Sequence, residues 1–335
     1  MEFRFGIIGC GKISIRHAEN MARFGRIVAV CDIITERAEI LAEKFGANPY
    51  SDIMAMLEKE KELNVIAICT PNGLHATHSI ACLNAGKDVL CEKPLCIHKE
   101  EGEKMLSAAK KNHRKLFVVK STRFNPPVIK LKNLLESNRL GEIYSFHLSC
   151  IWNRPASYYF NSWKGTLALD GGTLYTQFSH YIDVLYWLFG EVKNAQGVRK
   201  NLAHQGIIEF EDTGAISLQM ESGVIGSLNY SVNSFNKNME IALTVVAEKG
   251  TIKIGGEYLN ELIYSEDPSL IENVAGGNGA NDYGTYKGSM SNHQHVYDNF
   301  IKALTNKDNV STTATDGLKS VEMIEKIYAD CKLIS

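Results

Sequence analysis

Gly9-Cys10-Gly11-Lys12-Ile13-Ser14 stands between an apolar run, Phe3–Ile8, and a stretch of helical period, and Asp32 follows 23 positions after Gly9. No other feature constrains the fold as much. A strand, a glycine turn, a helix and a second strand, Ile27–Cys31, make a βαβ unit, which implies a parallel sheet. Glycine serves where the backbone turns tightly and where a phosphate must approach it. The helix that follows offers N–H groups and the positive end of its dipole to that phosphate. A carboxylate at Asp32 accepts hydrogen bonds from ribose hydroxyls and repels a 2′-phosphate, which favours NAD over NADP. The third position of the motif is Ser14 instead of glycine or alanine; it is small enough to keep helix and strand close.

Strand and helix patterns continue to alternate through the first 120 residues. Apolar runs at Val65–Cys69, Asp88–Cys91 and Leu116–Val119 are separated by helical stretches at Thr35–Phe45, Leu74–Ala85 and Lys99–Lys111, with Gly46, Gly86 and Asn112 as stops. Such a doubly wound domain binds ligands at the carboxyl ends of its strands. After about residue 140 the pattern changes. Strand candidates at Ile143–Ile151, Gly206–Phe210, Ala215–Met220, Val224–Val232, Glu240–Val246 and Thr251–Ile254 are joined by turn residues, which predicts a mostly antiparallel sheet with one free face. Pro268–Ser289, rich in Gly, Asn and Tyr, reads as a long loop, and helices close the chain at Asn292–Leu304 and Thr313–Asp330. The expected architecture is an α/β N-terminal Rossmann domain over residues 1–121, followed by an α+β domain with an open, mostly antiparallel sheet over residues 122–335. Its last helices are free to pack back on the first domain.

Composition narrows the partners. The chain of 335 residues has 44% hydrophobic and 22% charged residues and a formal net charge of −2, the profile of a globular protein without a nucleic-acid footprint. No apolar run approaches the roughly 20 residues of a membrane span. The first strand begins almost at residue 1, and no signal peptide is expected. The eight cysteines form no C-x-x-C pair, and a reduced cytoplasmic compartment is expected. His75 with His78, and His293 with His295, lack a third ligand at recognisable spacing, so no metal is expected.

Three segments carry candidate chemistry. Thr70-Pro71-Asn72 follows the fourth strand and puts an amide at the ligand edge. Glu92-Lys93-Pro94 follows the fifth and brings a lysine there. A lysine acts as a base near neutrality only where burial or neighbouring positive charge lowers its pKa, and Glu92 pulls the other way. In Asp170-Gly171-Gly172-Thr173 and the helical pattern after it, Thr176 and His180 are four apart and Asp183 three beyond. That spacing would put all three on one helix face, where a histidine with a partner can exchange protons.

Together these motifs resemble the family of glucose–fructose oxidoreductases, inositol dehydrogenases and their relatives. The resemblance covers essentially the whole chain and rests on Glu92-Lys93-Pro94, on Gly171-Gly172 with His180 and Asp183, and on Thr70-Pro71-Asn72 with His75. Within the family the chain is most similar to dehydrogenases that oxidise the 3-hydroxyl of UDP-N-acetylglucosaminuronic acid. Asn153-Arg154-Pro155-Ala156-Ser157-Tyr158-Tyr159, Trp163-Lys164-Gly165-Thr166, Thr176-Gln177, Asn281-Asp282-Tyr283-Gly284 and Ser291-Asn292-His293 carry that likeness. Most of the wider family has aspartate where this chain has Thr176 and glycine where it has Phe178; the sugar-nucleotide group shares the loss of the aspartate.

The resemblance implies an NAD-dependent oxidoreductase for surface polysaccharide sugars, assembled as a dimer or tetramer, with Lys93 and His180 as the acid/base pair. Gly9, Gly11, Lys12, Ile13, Asp32, Thr70, Asn72, His75, Glu92, Lys93 and Arg123 would contact the cofactor. Arg154, Tyr159, Trp163, Lys164, Thr166, Thr176, Gln177, His180 and Asn292 would contact the sugar nucleotide. Arg154 can clamp an anion bidentately, Lys164 adds a point charge, and the aromatic residues give flat faces for a sugar or base. Two other readings stay open: a dehydrogenase of a free polyol or sugar, and a non-enzymatic NAD-sensing regulator.

Overall fold

The first strand, β1 (Phe3–Ile8), enters the glycine turn and α1 (Ser14–Met21) leaves it. The computed structural model describes residues 2–266, 279–282, 287–305 and 312–334. Next come β2 (Gly25–Cys31), α2 (Thr35–Phe45), β3 (Asn48–Tyr50), α3 (Ile53–Lys59), β4 (Val65–Ile68), α4 (His75–Asn84), β5 (Asp88–Cys91), α5 (Lys99–Lys111) and β6 (Leu116–Val118). The six strands form one parallel sheet in the order β3-β2-β1-β4-β5-β6. All four residues of β4 are buried, as a strand covered on both faces requires. The direction of strand order reverses between β1 and β4, and the loops after β1, β4 and β5 share the carboxyl edge there.

Local chemistry explains the boundaries. Asp52 caps α3 by accepting from the Ala55 N–H at 2.8 Å. Gly46 ends α2 in the left-handed conformation. Acidic Glu100 and Glu101 open α5 and Lys110 and Lys111 close it, matching its dipole.

The middle of the chain contributes α6 (Pro126–Glu136), β7 (Ile143–Ile151), α7 (Thr173–Thr176), α8 (Ser179–Phe189), β8 (Val192–Lys200), β9 (Thr213–Met220), β10 (Ile225–Ser231), β11 (Glu240–Ala247), β12 (Gly250–Gly255), β13 (Glu261–Ser265) and a small ribbon of β14 (Ala280–Asp282) with β15 (Lys287–Met290). Helices α9 (His293–Leu304) and α10 (Ala314–Asp330) and the short β16 (Lys332–Leu333) end the chain. The large sheet runs β13-β12-β11-β7-β10-β9-β8-β16. It is mostly antiparallel, but β7 pairs parallel with β10, and β16 with β8. Burial alternates strictly in the second half of β9, so one face packs a core of Leu148, Ile216, Leu228 and Tyr230 and the other stays open.

Contacts divide the chain into two compact units, residues 1–119 with 293–321 and residues 120–292 with 322–335. Helix α9 and the first half of α10 therefore belong to the first unit. There Phe300 packs edge-on against Phe117 at 4.7 Å, and Thr313 bridges Phe117.

Two local expectations are corrected and one strand is added. Gly206–Phe210 is not a strand: Ile208 and Phe210 fill a buried cluster with Tyr159 instead. The strand before β9 is β8, whose polar sequence reflects a strand with much of its surface exposed. The helix around His180 is broken, because α7 ends at Thr176 and α8 begins at Ser179, with Phe178 buried between them. Thr176 and His180 therefore do not share a helix face. The expected loop 268–289 lies mostly outside the described residues, Tyr283 and Gly284 among them.

Candidate active site

At the carboxyl edge of the first unit, Gly9 takes φ +92°, and a Cβ there would lie 2.6 Å from the Cys69 backbone, so only glycine fits. A Cβ at Gly11 would meet nothing within 4 Å. The protein's own packing thus does not require the second glycine, and the space is open on the turn that feeds α1. Asp32 follows β2 directly and accepts from the N–H of Cys10 at 2.7 Å and of Ile34 at 2.8 Å. Each carboxylate oxygen keeps capacity for a further donor. Beside it Ile33 is 89% exposed, an apolar neighbour the sequence reading overlooked.

The loops after β4 and β5 are tied together by His75. One ring nitrogen lies 2.6 Å from the Pro94 carbonyl and the other 2.9 Å from the Thr70 carbonyl. The expected cofactor contact of His75 is not one its ring makes readily, since the ring is buried and both nitrogens face backbone carbonyls. Burial pushes its pKa down. Asn72 is buried at the start of a short 3-10 turn, while Thr70 and Lys93 are half-buried.

Glu92 also turns inward. Its Oε1 accepts from His17 Nε2 at 2.9 Å and from His293 Nε2 at 3.3 Å, and its Oε2 accepts from the Lys93 N–H at 3.1 Å. Tyr297 OH lies 2.7 Å from His17 Nδ1. Burial works against the Glu92 carboxylate, but the two imidazole donors outweigh it and hold its pKa well below the usual range. Burial lowers the pKa of His17. The Glu92 carboxylate is thus engaged by His17, His293 and the Lys93 N–H, which leaves the Glu92 backbone as the part able to meet a cofactor. Among the described residues, His17, Glu92 and His293 are one set of metal-type ligands, their donor atoms within 4.8 Å of one another. Direct hydrogen bonds already account for the arrangement.

In the second unit, α8 presents His180 and Asp183. Nε2 of His180 lies 3.3 Å from Ser289 Oγ on β15. Asp183 accepts from Arg123 Nε and Nη2, both at 2.8 Å, and pairs with Lys120 Nζ at 3.2 Å, all three being buried. Two donors of Arg123 thus serve an internal carboxylate, and Lys120 is a buried cation that the sequence reading did not single out.

Arg154 forms the second cluster of this unit. It donates from Nε to Gln177 Oε1 at 2.7 Å and from Nη1 to the Asn153 carbonyl at 2.6 Å and Asn238 Oδ1 at 3.1 Å. Its guanidinium lies 4.8 Å from the Trp152 ring and 5.3 Å from Tyr158. Gln177 donates onward to Tyr158 OH, and Lys164 sits 4.2 Å from the Tyr158 ring and 5.8 Å from Trp163. Arg154, Gln177, Lys164 and Trp163 are therefore brought together.

Others are used internally. Tyr159 is buried with Ile208, Phe210 and the His204 ring, so it packs a core. Thr166 Oγ1 donates to the Trp163 carbonyl, and Thr176 Oγ1 bonds Asp170. Asn292 donates to Ser121 O and Asn125 Oδ1.

A parallel sheet with a glycine turn at its switch point and an acidic residue directly after β2 defines a dinucleotide-binding domain. Residues 3–120 match the model of an oxidoreductase family with an NAD-binding Rossmann fold, and residues 128–253 match the GFO/IDH/MocA C-terminal domain. A WlbA dehydrogenase from Chromobacterium violaceum, solved in complex with NADH and UDP-GlcNAcA, is 34% identical over 98% of this chain and 93% of its own, with a TM-score of 0.89. The WlbA dehydrogenase of Bordetella pertussis, in complex with the same pair, is 31% identical over 98% and 96%, with a TM-score of 0.86. Inositol 2-dehydrogenase 2 of Saccharopolyspora erythraea is 29% identical over 76% of this chain and 74% of its own. The chain belongs to the GFO/IDH/MocA family of NAD-dependent oxidoreductases. Among the described residues no helix is long and apolar enough to cross a membrane.

Proposed function

We propose that the protein oxidises the 3-hydroxyl of a UDP-N-acetylaminosugar uronic acid, of the UDP-N-acetylglucosaminuronate type, with NAD as acceptor. The observation that carries this reading is the likeness, over nearly the whole chain, to two dehydrogenases solved with NADH and UDP-GlcNAcA. The Arg154–Gln177–Tyr158–Lys164 cluster supports it, since a sugar nucleotide carries two phosphates and a carboxylate that two cations beside aromatic faces can bind.

The open space at Gly11 and the spare acceptor capacity of Asp32 fit a dinucleotide. The turn Gly9–Ile13 would take the pyrophosphate, Asp32 the adenosine ribose hydroxyls, and exposed Ile33 an adenine face. When bound, NAD supplies the hydride acceptor. Lys93 and His180 are the proton-exchanging pair, Lys93 on a backbone braced by Glu92 and His180 on α8. We place the enzyme in the cytoplasm, in synthesis of surface polysaccharide sugars such as those of lipopolysaccharide, as a homo-oligomer (dimer or tetramer) joined through the open sheet face.

A second reading, oxidation of a free polyol, is favoured by the inositol dehydrogenase relatives. Reduced-nicotinamide absorbance decides: UDP-N-acetylglucosaminuronic acid turns over and myo-inositol does not, whereas turnover of inositol alone selects the second reading. Lys93→Ala and His180→Ala each lower kcat by about 100-fold or more while NAD still binds; wild-type rates in both overturn the acid/base assignment.

A further inference from the structure

His204, in the loop between β8 and β9, has an acceptor at each ring nitrogen. Nδ1 lies 3.1 Å from Asp212 Oδ2, and Nε2 lies 2.8 Å from the Arg154 carbonyl oxygen. Neither acceptor has a proton to give. A neutral imidazole would press a nitrogen lone pair against one of them, whereas the doubly protonated ring satisfies both, with the Asp212 carboxylate in direct contact as its counter-charge. Asp212 is fixed as the counter-charge. Burial opposes its ionisation, but His204, the N–H groups of Ala203 and Leu202, and Asn233 outweigh that and lower its pKa.

The other groups facing the ring are Asn201, whose Oδ1 accepts from the His204 N–H at 2.9 Å, and the Tyr159 ring, edge-on at 5.2 Å. Burial keeps the Tyr159 phenol protonated, with the charges of Asp170, Arg154 and Asp212 nearby. The Arg154 main chain is thereby held at both ends. Its N–H donates to the Val232 carbonyl at 2.8 Å, and its carbonyl accepts from His204.

We propose that His204 is a positioning residue: as an imidazolium bridging Asp212 and the Arg154 carbonyl, it fixes the backbone from which the Arg154 guanidinium reaches the anionic part of the substrate. The proposal rests on the reading of Arg154 as a substrate contact. It makes substrate affinity, and not turnover, sensitive to alkaline pH. The Asp212 hydrogen bond, against the effect of burial, raises the His204 pKa, in the same direction.

The test uses the full chain and two readouts. Nitrogen-15 NMR of histidine-labelled wild-type protein, with the His204 signals assigned by their loss in His204→Gln, gives both nitrogens protonated at neutral pH and a lower pKa in Asp212→Asn; a neutral His204 ring at pH 7 overturns the proposal. Kinetics with UDP-N-acetylglucosaminuronic acid and NAD give a KM raised about tenfold in His204→Gln with kcat within about twofold, a free-energy effect of ordinary size for a polar contact. The wild-type KM rises at alkaline pH and that rise is absent in His204→Gln. If Arg154→Ala weakens binding and His204→Gln does not, the positioning role is wrong while the substrate reading stands. If Arg154→Ala binds normally, the substrate reading itself fails and the proposal falls with it.

Discussion

His17 in the first unit and His204 in the second each place a ring nitrogen against a carboxylate, 2.9 Å from Glu92 and 3.1 Å from Asp212. Their pKa values nevertheless move in opposite directions, down for His17 and up for His204. The second partner differs. His17 Nδ1 meets the Tyr297 hydroxyl, which can donate, so a fully buried neutral ring is satisfied. His204 Nε2 meets a carbonyl, which cannot. His75 supplies the missing control. It lies between two carbonyls without a carboxylate in hydrogen-bond contact, and burial lowers its pKa. Among these three buried histidines the pKa rises where a carboxylate faces one nitrogen and a carbonyl the other, and falls where either is missing.

Removing the carboxylate of the first region has the largest expected effect on stability. Glu92→Ala takes away the acceptor of two buried imidazole N–H groups and costs about 3 kcal/mol. Urea denaturation of cofactor-free protein measures it, and a cost under about 1 kcal/mol would mean that the cluster holds little together.

The comparison also fixes the shape of stability against pH. The raised pKa of His204 contributes stability in full below the ordinary histidine value of about 6.5, and this is lost as pH rises through the folded value. The lowered pKa of His17 works the other way, its contribution being lost as pH falls below that ordinary value toward the folded one. Unfolding free energy should therefore fall on both flanks, and His204→Gln should flatten the alkaline flank alone. An unchanged alkaline flank would break the contrast. The smallest effect is expected from Tyr297→Phe, about 1 kcal/mol, because it removes one hydroxyl donor and keeps the ring packing. A neutral result there would place the origin of the low His17 pKa in burial alone.

The fold was legible where chemistry is local. The Gly9–Gly11 turn and Asp32 lie within one βαβ unit, and the parallel sheet follows from that spacing. The second unit was read less well. The polar strand β8 has no apolar alternation to announce it, and the apolar residues at 206–210 were destined for a loop cluster with Tyr159. The break at Gln177-Phe178 was hidden because the apolar period runs through it.

The motifs of the proposed site were visible in the sequence and their supporting contacts were not. Lys93 and His180 sit in recognisable segments. The partners of Glu92 and Asp183 come from far along the chain: His17 is 75 residues from Glu92, His293 is 201, and Arg123 is 60 from Asp183. The pair His293 and His295 has no third ligand at local spacing, because the neighbours of His293 are brought in only by folding.

The crossbar made by His75 has a consequence for motion. The ring of His75, on the segment that follows β4, lies 2.6 Å from the Pro94 carbonyl, so the loop after β5 cannot leave the sheet edge without giving up that contact and baring both the carbonyl and the ring nitrogen to solvent.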